Sequence, residues 1–167
     1  AASLRLLTID PEQEAIDLAG INIEEWWVET QAMIRSGLQR DVELTARWPE
    51  NLANLRIGKA ALTQVVFNLV QNAGDALRGR QGGRVFVTAE PDDEGRVTLS
   101  VADNGPGMTE EVRRRCMEAS FTTKTRDVST GLGLALVASI VRRAGGSVYV
   151  ESDVDRGAVF KIVLQPA

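Results

Sequence analysis

Three polar residues, Asn68, Asn72 and Asp75, are spaced so that a helix would carry them on one stripe. At about 100° per residue, their side chains fall within an arc of roughly 60°. Two amides and a carboxylate suit a hard cation such as Mg²⁺, which combines few protein oxygens with water and phosphate. The competing interpretation, which the helix alone favours, is a solvated face. The opposite side carries the predicted core residues Leu62, Val65, Val66, Leu69, Ala73, Ala76 and Leu77.

A second group is the hexapeptide Asp-Asn-Gly-Pro-Gly-Met at 103–108, between a strand-like run and a helix-like run. The strand would deliver Asp103 to its C-terminal end, where a carboxylate suits an exocyclic amine. Gly105 and Gly107 lack Cβ atoms, so a flat ring could lie against the backbone. The competing interpretation is a tight turn in which Asp103 and Asn104 bond local amides.

A second glycine cluster, Thr-Gly-Leu-Gly-Leu-Ala-Leu-Val at 130–137, is predicted to start a helix. Thr130 could cap that helix, and Gly131 and Gly133 would expose backbone N–H groups near its positive end, which suits a phosphate. A helix start packed closely on the sheet is the alternative. The chain has no GxxxxGK[ST] phosphate loop, and the cluster lacks the third glycine of a dinucleotide fingerprint.

The segment between the two clusters, 120–130, is rich in hydroxyl groups and carries little that would order it. Phe121 is its one strong apolar anchor, and Lys124 and Arg126 supply positive charge. Because few contacts would offset the ordering entropy, we expect a mobile lid that settles when an anion binds. An ordinary surface loop is the alternative.

Hydrophobic periodicity and turn residues predict the elements that position these groups. The predicted helices begin at Asn22, span about 58–79, follow Met108 and span about 131–144. The predicted strands are 41–48, 84–90, 96–102, 147–152 and 158–164. Adjacent strands at the end of the chain, with helices elsewhere, predict an α+β fold. It would be a two-layer α/β sandwich, with a mixed sheet and helices on one face.

Composition excludes several classes of site. The 167 residues are 44% hydrophobic and 25% charged, which favours one soluble domain with a real core. No run approaches the roughly 20 apolar residues of a membrane span, no signal peptide is evident, and a net charge of −4 gives no reason to expect nucleic acid. The absence of histidine excludes His-based metal sites, His-activated nucleophiles and a phosphohistidine on this chain.

Taken in order, the motifs resemble those of the ATP-binding domain of the GHKL superfamily, which includes histidine kinases, type II topoisomerase subunits, heat-shock chaperones and mismatch-repair ATPases. "NLVQNAGDAL" resembles the N box, "DNGPGM" the first glycine box, "FTTK" the F box and "TGLGLALV" the second glycine box. The similarity runs from about residue 22 to Pro166 and is greatest to sensor histidine kinases of two-component systems. It implies a Bergerat-type ATP-binding fold with ATP and Mg²⁺ as cofactors.

The resemblance also implies roles for matching positions. Asn72 would ligate Mg²⁺, Asp103 would accept the adenine amine, and Lys124 would meet a terminal phosphate. The other residues implied in ATP binding are Asn68, Asp75, Gly105, Gly107, Met108, Phe121, Thr123, Thr130, Gly131, Leu132, Gly133 and Leu134.

Two departures from the family pattern matter. ATP-hydrolysing members and anti-sigma-factor serine kinases typically have a glutamate base four residues before the Mg²⁺ asparagine, where this chain has Asn68. An amide cannot accept that proton at neutral pH, which favours a histidine kinase. Gly157-Ala158 replaces a common Gly-Thr, so modestly weaker nucleotide binding is expected. A serine kinase of the anti-sigma-factor type and a degenerate nucleotide-binding interaction module remain the alternatives.

The resemblance further predicts the surroundings of the domain. Residues 1–20 would be a linker left from a missing helical dimerisation and phosphoacceptor domain, and 21–167 the ATP-binding catalytic domain. No catalytic phosphoacceptor is then expected within this chain, and a response regulator would take the phosphate from the acceptor histidine. We expect these residues to form a cytoplasmic, monomeric fragment. The intact protein would be a homodimer and could be anchored to a membrane.

Overall fold

The structure is a computed structural model that describes residues 20–116 and 128–167. In those residues the helices are α1 (Ile23–Arg35), α2 (Lys59–Ala76), α3 (Glu110–Arg115) and α4 (Val128–Arg143). The strands are β1 (Glu43–Arg47), β2 (Arg84–Pro91), β3 (Val97–Asp103), β4 (Ser147–Ser152) and β5 (Ala158–Leu164). None of these helices combines the length and hydropathy needed to cross a membrane.

The five strands form one mixed sheet in the order β1-β2-β3-β5-β4. β1 pairs parallel with β2, whereas the other three pairings are antiparallel. Along β3 and β5 every second residue is buried, as expected when helices cover one face of a sheet. The predicted α+β architecture, a two-layer sandwich with helices on one face, is confirmed.

α1 begins where the sequence predicts, because Asn22 caps it. The Asn22 side chain accepts the backbone N–H of Glu25 at 3.1 Å. Further along, the buried Trp26 donates its indole N–H to the hydroxyl of Thr63 at 3.0 Å. This contact fixes α1 on α2, the helix that carries the candidate amides.

α2 lies at the centre of the helical layer. Gly74, inside this helix, lets the turn after α1 approach, since a Cβ there would lie 2.9 Å from Cδ2 of Leu38. Because Gly74 has no side chain, the turn that contains Leu38 can pack against α2 at this point. The apolar residues that α2 buries are Leu62, Val65, Val66, Leu69, Val70 and Ala73.

Two predicted helix boundaries are wrong. α4 begins at Val128 instead of about Gly131, so Thr130 lies inside the helix. Gly131 and Gly133 each destabilise a helix by about 1 kcal/mol relative to alanine, but the packing of α4 on α2 outweighs that cost. α2 ends at Ala76, and this residue, predicted for the core, is exposed.

Candidate nucleotide-binding site

Asn68 and Asn72 are buried although they lie on the polar stripe of α2. Each is only 9% exposed, and the Nδ2 atom of each is buried without a hydrogen-bond partner among the described residues. A buried amide left in this way costs about 1–3 kcal/mol. The solvated-face interpretation is therefore wrong for these two residues, and the cost points to a polar ligand.

Gly133 of α4 brings the second glycine cluster to this pair. A Cβ at Gly133 would lie 3.7 Å from Cβ of Asn68 and 3.9 Å from Oδ1 of Asn72. Those distances are ordinary contacts, so the two helices meet here without strain. The absent side chain leaves space beside both amides, which suits close approach by a phosphate.

Asp75 is less buried than the two asparagines. Its carboxylate forms an ion pair with Arg78 one turn further on, at 2.8 Å. A carboxylate engaged in this way could still face a ligand. Its part in nucleotide binding stays a prediction.

Asp103 is the last residue of β3 and is buried, with 9% exposure. Its Oδ1 accepts the backbone N–H of Gly105 at 2.8 Å. Burial raises the pKa of this carboxyl, while the backbone amides of Gly105 and Ala158 and the charge of Arg80 act in the opposite direction. The result is a strong acceptor at a desolvated position.

We call residues 104–108 the glycine loop. On one side, Asn104 ties it to β2: its side chain accepts the N–H of Arg84 at 2.7 Å and donates to the carbonyl of Gly82 at 3.0 Å. On the other side, the N–H of Met108 donates to Oγ of Ser152 at 2.9 Å. The loop that follows Asp103 is therefore held from both directions.

The two glycines of this loop are required for different reasons. Gly107 has φ +72°, and a Cβ there would lie 1.9 Å from the carbonyl oxygen of Asp153. A side chain is thus excluded by local geometry, as the tight-turn interpretation predicts. At Gly105 a Cβ would lie 2.8 Å from Oδ1 of Asp103, so glycine keeps the carboxylate unobstructed.

The donor set can hold Mg²⁺ in only a limited way. Within residues 20–116 and 128–167, no group of three His, Cys, Asp or Glu residues is placed to bind a metal. A magnesium ion would therefore rely on an amide oxygen such as Oδ1 of Asn72, with phosphate and water oxygens completing its shell. The residues present fit a nucleotide-borne Mg²⁺ better than a metal held by protein alone.

The remaining predicted residues fall into three groups. Phe121, Thr123 and Lys124 lie outside the described residues, as does most of the predicted lid. Three further residues are part of α4: Thr130, Gly131 and Leu132. Leu134 is buried in the core and Met108 packs partly against it, so both side chains contribute packing.

Ser152 and Gly157 adjoin the candidate site; the sequence interpretation noted Gly157 only as part of the Gly157-Ala158 departure and missed Ser152. Gly157 has φ +75°, and a Cβ there would lie 2.0 Å from the carbonyl oxygen of Asp103. The position of Gly157 in the turn between two predicted strands was the sequence signal that could have indicated this close contact. No local pattern signals Ser152, because its partner Met108 is 44 residues away in sequence.

Comparisons with known proteins show what the chain as a whole is similar to. The model of the family described as "Histidine kinase-, DNA gyrase B-, and HSP90-like ATPase" matches residues 58–167. The C4-dicarboxylate transport sensor protein DctB of Pseudomonas aeruginosa is 37% identical over 127 residues, covering 75% of this chain and 21% of that protein. The sensor histidine kinase ZraS of Salmonella typhi is 33% identical over 150 residues, covering 89% and 31%.

A solved structure extends the likeness to three dimensions. Full-length ShkA in complex with AMPPNP superposes with a TM-score of 0.72 and 26% identity, covering 99% of this chain and 36% of that one. This chain spans less than a third of the length of either curated relative.

Proposed function

Because the chain belongs to the family of histidine kinase-, DNA gyrase B- and HSP90-like ATPases, we propose that it binds Mg²⁺–ATP and supplies the γ-phosphate to a histidine on a separate helical domain. The chain is an ATPase-type catalytic domain of the kind found in sensor histidine kinases. The observation that carries the proposal is the buried amide pair of α2 beside Gly133, whose Nδ2 atoms find no hydrogen-bond partner within residues 20–116 and 128–167.

The bound nucleotide would lie along α2. Asn68, Asn72 and Ala76 follow one another at intervals of four residues, or about 6 Å. Ala76 adjoins the glycine loop, since a Cβ at Gly105 would lie 3.5 Å from its Cβ. The exposed alanine thus connects the amide end of the site with the Asp103 end, which gives room for a base at one end and phosphates at the other.

At the base end, Asp103 would accept the exocyclic amine of adenine. Burial strengthens this hydrogen bond, because few water molecules compete for the carboxylate. Guanine presents a carbonyl oxygen at the corresponding position, and that oxygen would face the carboxylate unfavourably. The site should therefore prefer adenine.

At the phosphate end, Asn72 would hold Mg²⁺ through its side-chain oxygen, and Gly133 leaves space for the phosphates beside it. A bound Mg²⁺ would neutralise charge on the phosphates. Phosphoryl transfer needs mainly positioning and such neutralisation, which this arrangement supplies. Lys124 would meet a terminal phosphate, as the family motif implies.

Asn68 decides which acceptor the site can serve. Its amide cannot take a proton from water or from a serine hydroxyl, whereas a neutral imidazole attacks without such help. The chain contains no histidine, so the proposed acceptor lies outside these 167 residues. The serine-kinase alternative is thereby disfavoured, and the named relatives are sensor proteins and kinases.

The proposal extends to the surrounding protein. Residues 1–20 would link the catalytic domain, 21–167, to the helical dimerisation domain, and a response regulator would receive the phosphate. The fragment would be monomeric and the intact protein a cytoplasmic or membrane-anchored homodimer. Relatives that are much longer than this chain support the presence of further domains.

Calorimetric titration with AMPPNP tests nucleotide binding, followed by incubation of labelled ATP with a form of the protein that carries the helical domain. We expect Mg²⁺-dependent binding that favours adenine over guanine, and then an acid-labile phosphate on a histidine. An acid-stable phosphate on a serine would favour the serine kinase instead. Absence of nucleotide binding at any Mg²⁺ concentration would leave the degenerate interaction module.

Nucleotide binding is expected to weaken as the pH falls through the raised pKa of Asp103, because a protonated carboxyl is a poorer acceptor. The loss should begin above the pH at which an aspartate of ordinary pKa, 3.8, would titrate. The free energy of unfolding has the opposite pH dependence. Because the pKa of Asp103 is raised in the folded protein, its contribution to that free energy is fully present below the unfolded pKa and is lost as the pH rises through the folded pKa.

Dissociation constants measured between about pH 4 and 8 check this dependence. Asp103→Asn is the matched control, since an amide does not titrate in this range and the residual binding should carry only the pH dependence of the nucleotide's own phosphates. The same pH dependence in the unmodified protein and in the variant would contradict the assignment of Asp103.

A further inference from the structure

The hydroxyl of Ser152, at the end of β4, bridges two segments that are distant in sequence. It accepts the backbone N–H of Met108 at 2.9 Å and donates to the carbonyl oxygen of Gly157 at 2.7 Å. Met108 ends the glycine loop, and Gly157 ends the turn between β4 and β5, residues 153–157. A single side chain thus joins the loop to the turn.

The loop and the turn are in close backbone contact at two further points. The N–H of Asp155 donates to the carbonyl of Pro106 at 2.7 Å. Gly107 lies so close to the carbonyl of Asp153 that no side chain fits between them. Small movements of the turn would therefore be transmitted to the glycine loop.

The turn also contacts Asp103 directly. Gly157 packs against the carbonyl of Asp103, and Asp103 is paired with Ala158, which in turn is paired with Ser152. Residues paired in this way project from the same face of a sheet. Ser152, Ala158 and Asp103 therefore lie in one cross-strand row that includes the proposed adenine acceptor.

We propose that Ser152 is a positioning residue for the adenine end of the site. Its hydroxyl holds the glycine loop against the turn, so that Gly105 keeps its hydrogen bond to Asp103 and the carboxylate keeps the orientation in which it would meet the base. This inference rests on the proposed nucleotide-binding function. Ser152 does not touch the base; it acts through Met108 and Gly157.

The effect should be confined to one end of the nucleotide. The amide pair and Gly133 belong to α2 and α4, and the bonds of Ser152 go to neither helix. Loss of the hydroxyl should then weaken binding by about 5- to 20-fold, because binding would have to order a loop that the hydroxyl otherwise holds in place. The fold-loss should be equal with and without Mg²⁺.

The experiment compares the unmodified protein with Ser152→Ala, Ser152→Thr and Ser147→Ala, titrating ADP without Mg²⁺ and AMPPNP with Mg²⁺. We expect Ser152→Ala to lose affinity equally for both ligands and to discriminate less between adenine and guanine nucleotides. Ser152→Thr should restore binding because it keeps the hydroxyl. Ser147→Ala, an exposed serine at the other end of β4, should bind like the unmodified protein.

Several results would overturn the proposal. Unchanged affinity in Ser152→Ala, or a loss that Ser152→Thr fails to restore, would each do so. Should Ser152→Ala not fold, hydrogen exchange on the unmodified protein decides, because the Met108 amide must then be protected and gain protection with nucleotide. An unprotected Met108 amide would refute the bridge. Absence of binding by the unmodified protein would refute the nucleotide-binding function itself.

Discussion

Asn72→Ala is expected to abolish Mg²⁺-dependent nucleotide binding while leaving the protein at least as stable as before. The proposed Mg²⁺ ligand is the side-chain oxygen, and alanine has none. We expect affinity for AMPPNP with Mg²⁺ to fall by about 100-fold or more, which corresponds to ~2.7 kcal/mol. Affinity for ADP without Mg²⁺ should change little.

The stability expectation follows from the burial of the Asn72 side chain. Its Nδ2 is buried without a partner among the described residues, so removing the amide relieves a desolvation cost. Alanine also has a higher helix propensity in the interior of α2. A small cavity offsets part of both gains. The free energy of unfolding should stay the same or rise by up to about 1 kcal/mol.

Calorimetric titration and thermal unfolding of the same sample separate binding from stability. Asn51→Ala is the matched control, because Asn51 is exposed and precedes α2. That variant should retain binding. If Asn72→Ala bound AMPPNP as tightly with Mg²⁺ as the unmodified protein does, Asn72 would not be the metal ligand. Strong destabilisation would show that the amide has a structural partner.

Asp103→Asn is expected to weaken adenine nucleotide binding by about 10- to 100-fold, since a hydrogen bond to a charged group contributes about 1.5–3 kcal/mol. The variant amide can still accept the N–H of Gly105, so the turn should keep its geometry. Its other group is a donor, however, which cannot satisfy the adenine amine. The preference for adenine over guanine should shrink accordingly.

Stability should not fall with this substitution at neutral pH, because burial raises the pKa of Asp103 and so penalises its charge. Asp93→Asn makes the same chemical change in the exposed turn between β2 and β3, at the far end of β3. Titrations with adenine and guanine nucleotides should detect no effect of that control. Equal loss in both variants would indicate that net charge, and not Asp103, sets the affinity.

Local signals were sufficient for most of the fold. β4 and β5 have their predicted bounds, because alternating apolar residues and a glycine-containing turn define strands within a short window. Asn22 was recognisable as a cap for the same reason, since its bond to Glu25 spans one helical turn. The start of α4 was misplaced, because its favourable packing on α2 is a contact between distant segments.

For the candidate site, the residues alone suggested a hard cation, an exocyclic amine and an anion. The order of the four motifs indicated nucleotide binding through the resemblance to the GHKL superfamily. Helical spacing alone could not tell whether Asn68 and Asn72 face solvent or a ligand, because both cases give the same stripe.

Residue identity and local spacing were enough to predict the element types, the place of Asp103 at a strand end, the lack of a histidine acceptor in this chain and the family resemblance. The burial of the amide pair, the approach of Gly133 and the bridge from Ser152 to Met108 became evident in three dimensions. These features depend on which distant segments pack together. Such packing minimises a free energy summed over the whole core, which no short window of sequence contains.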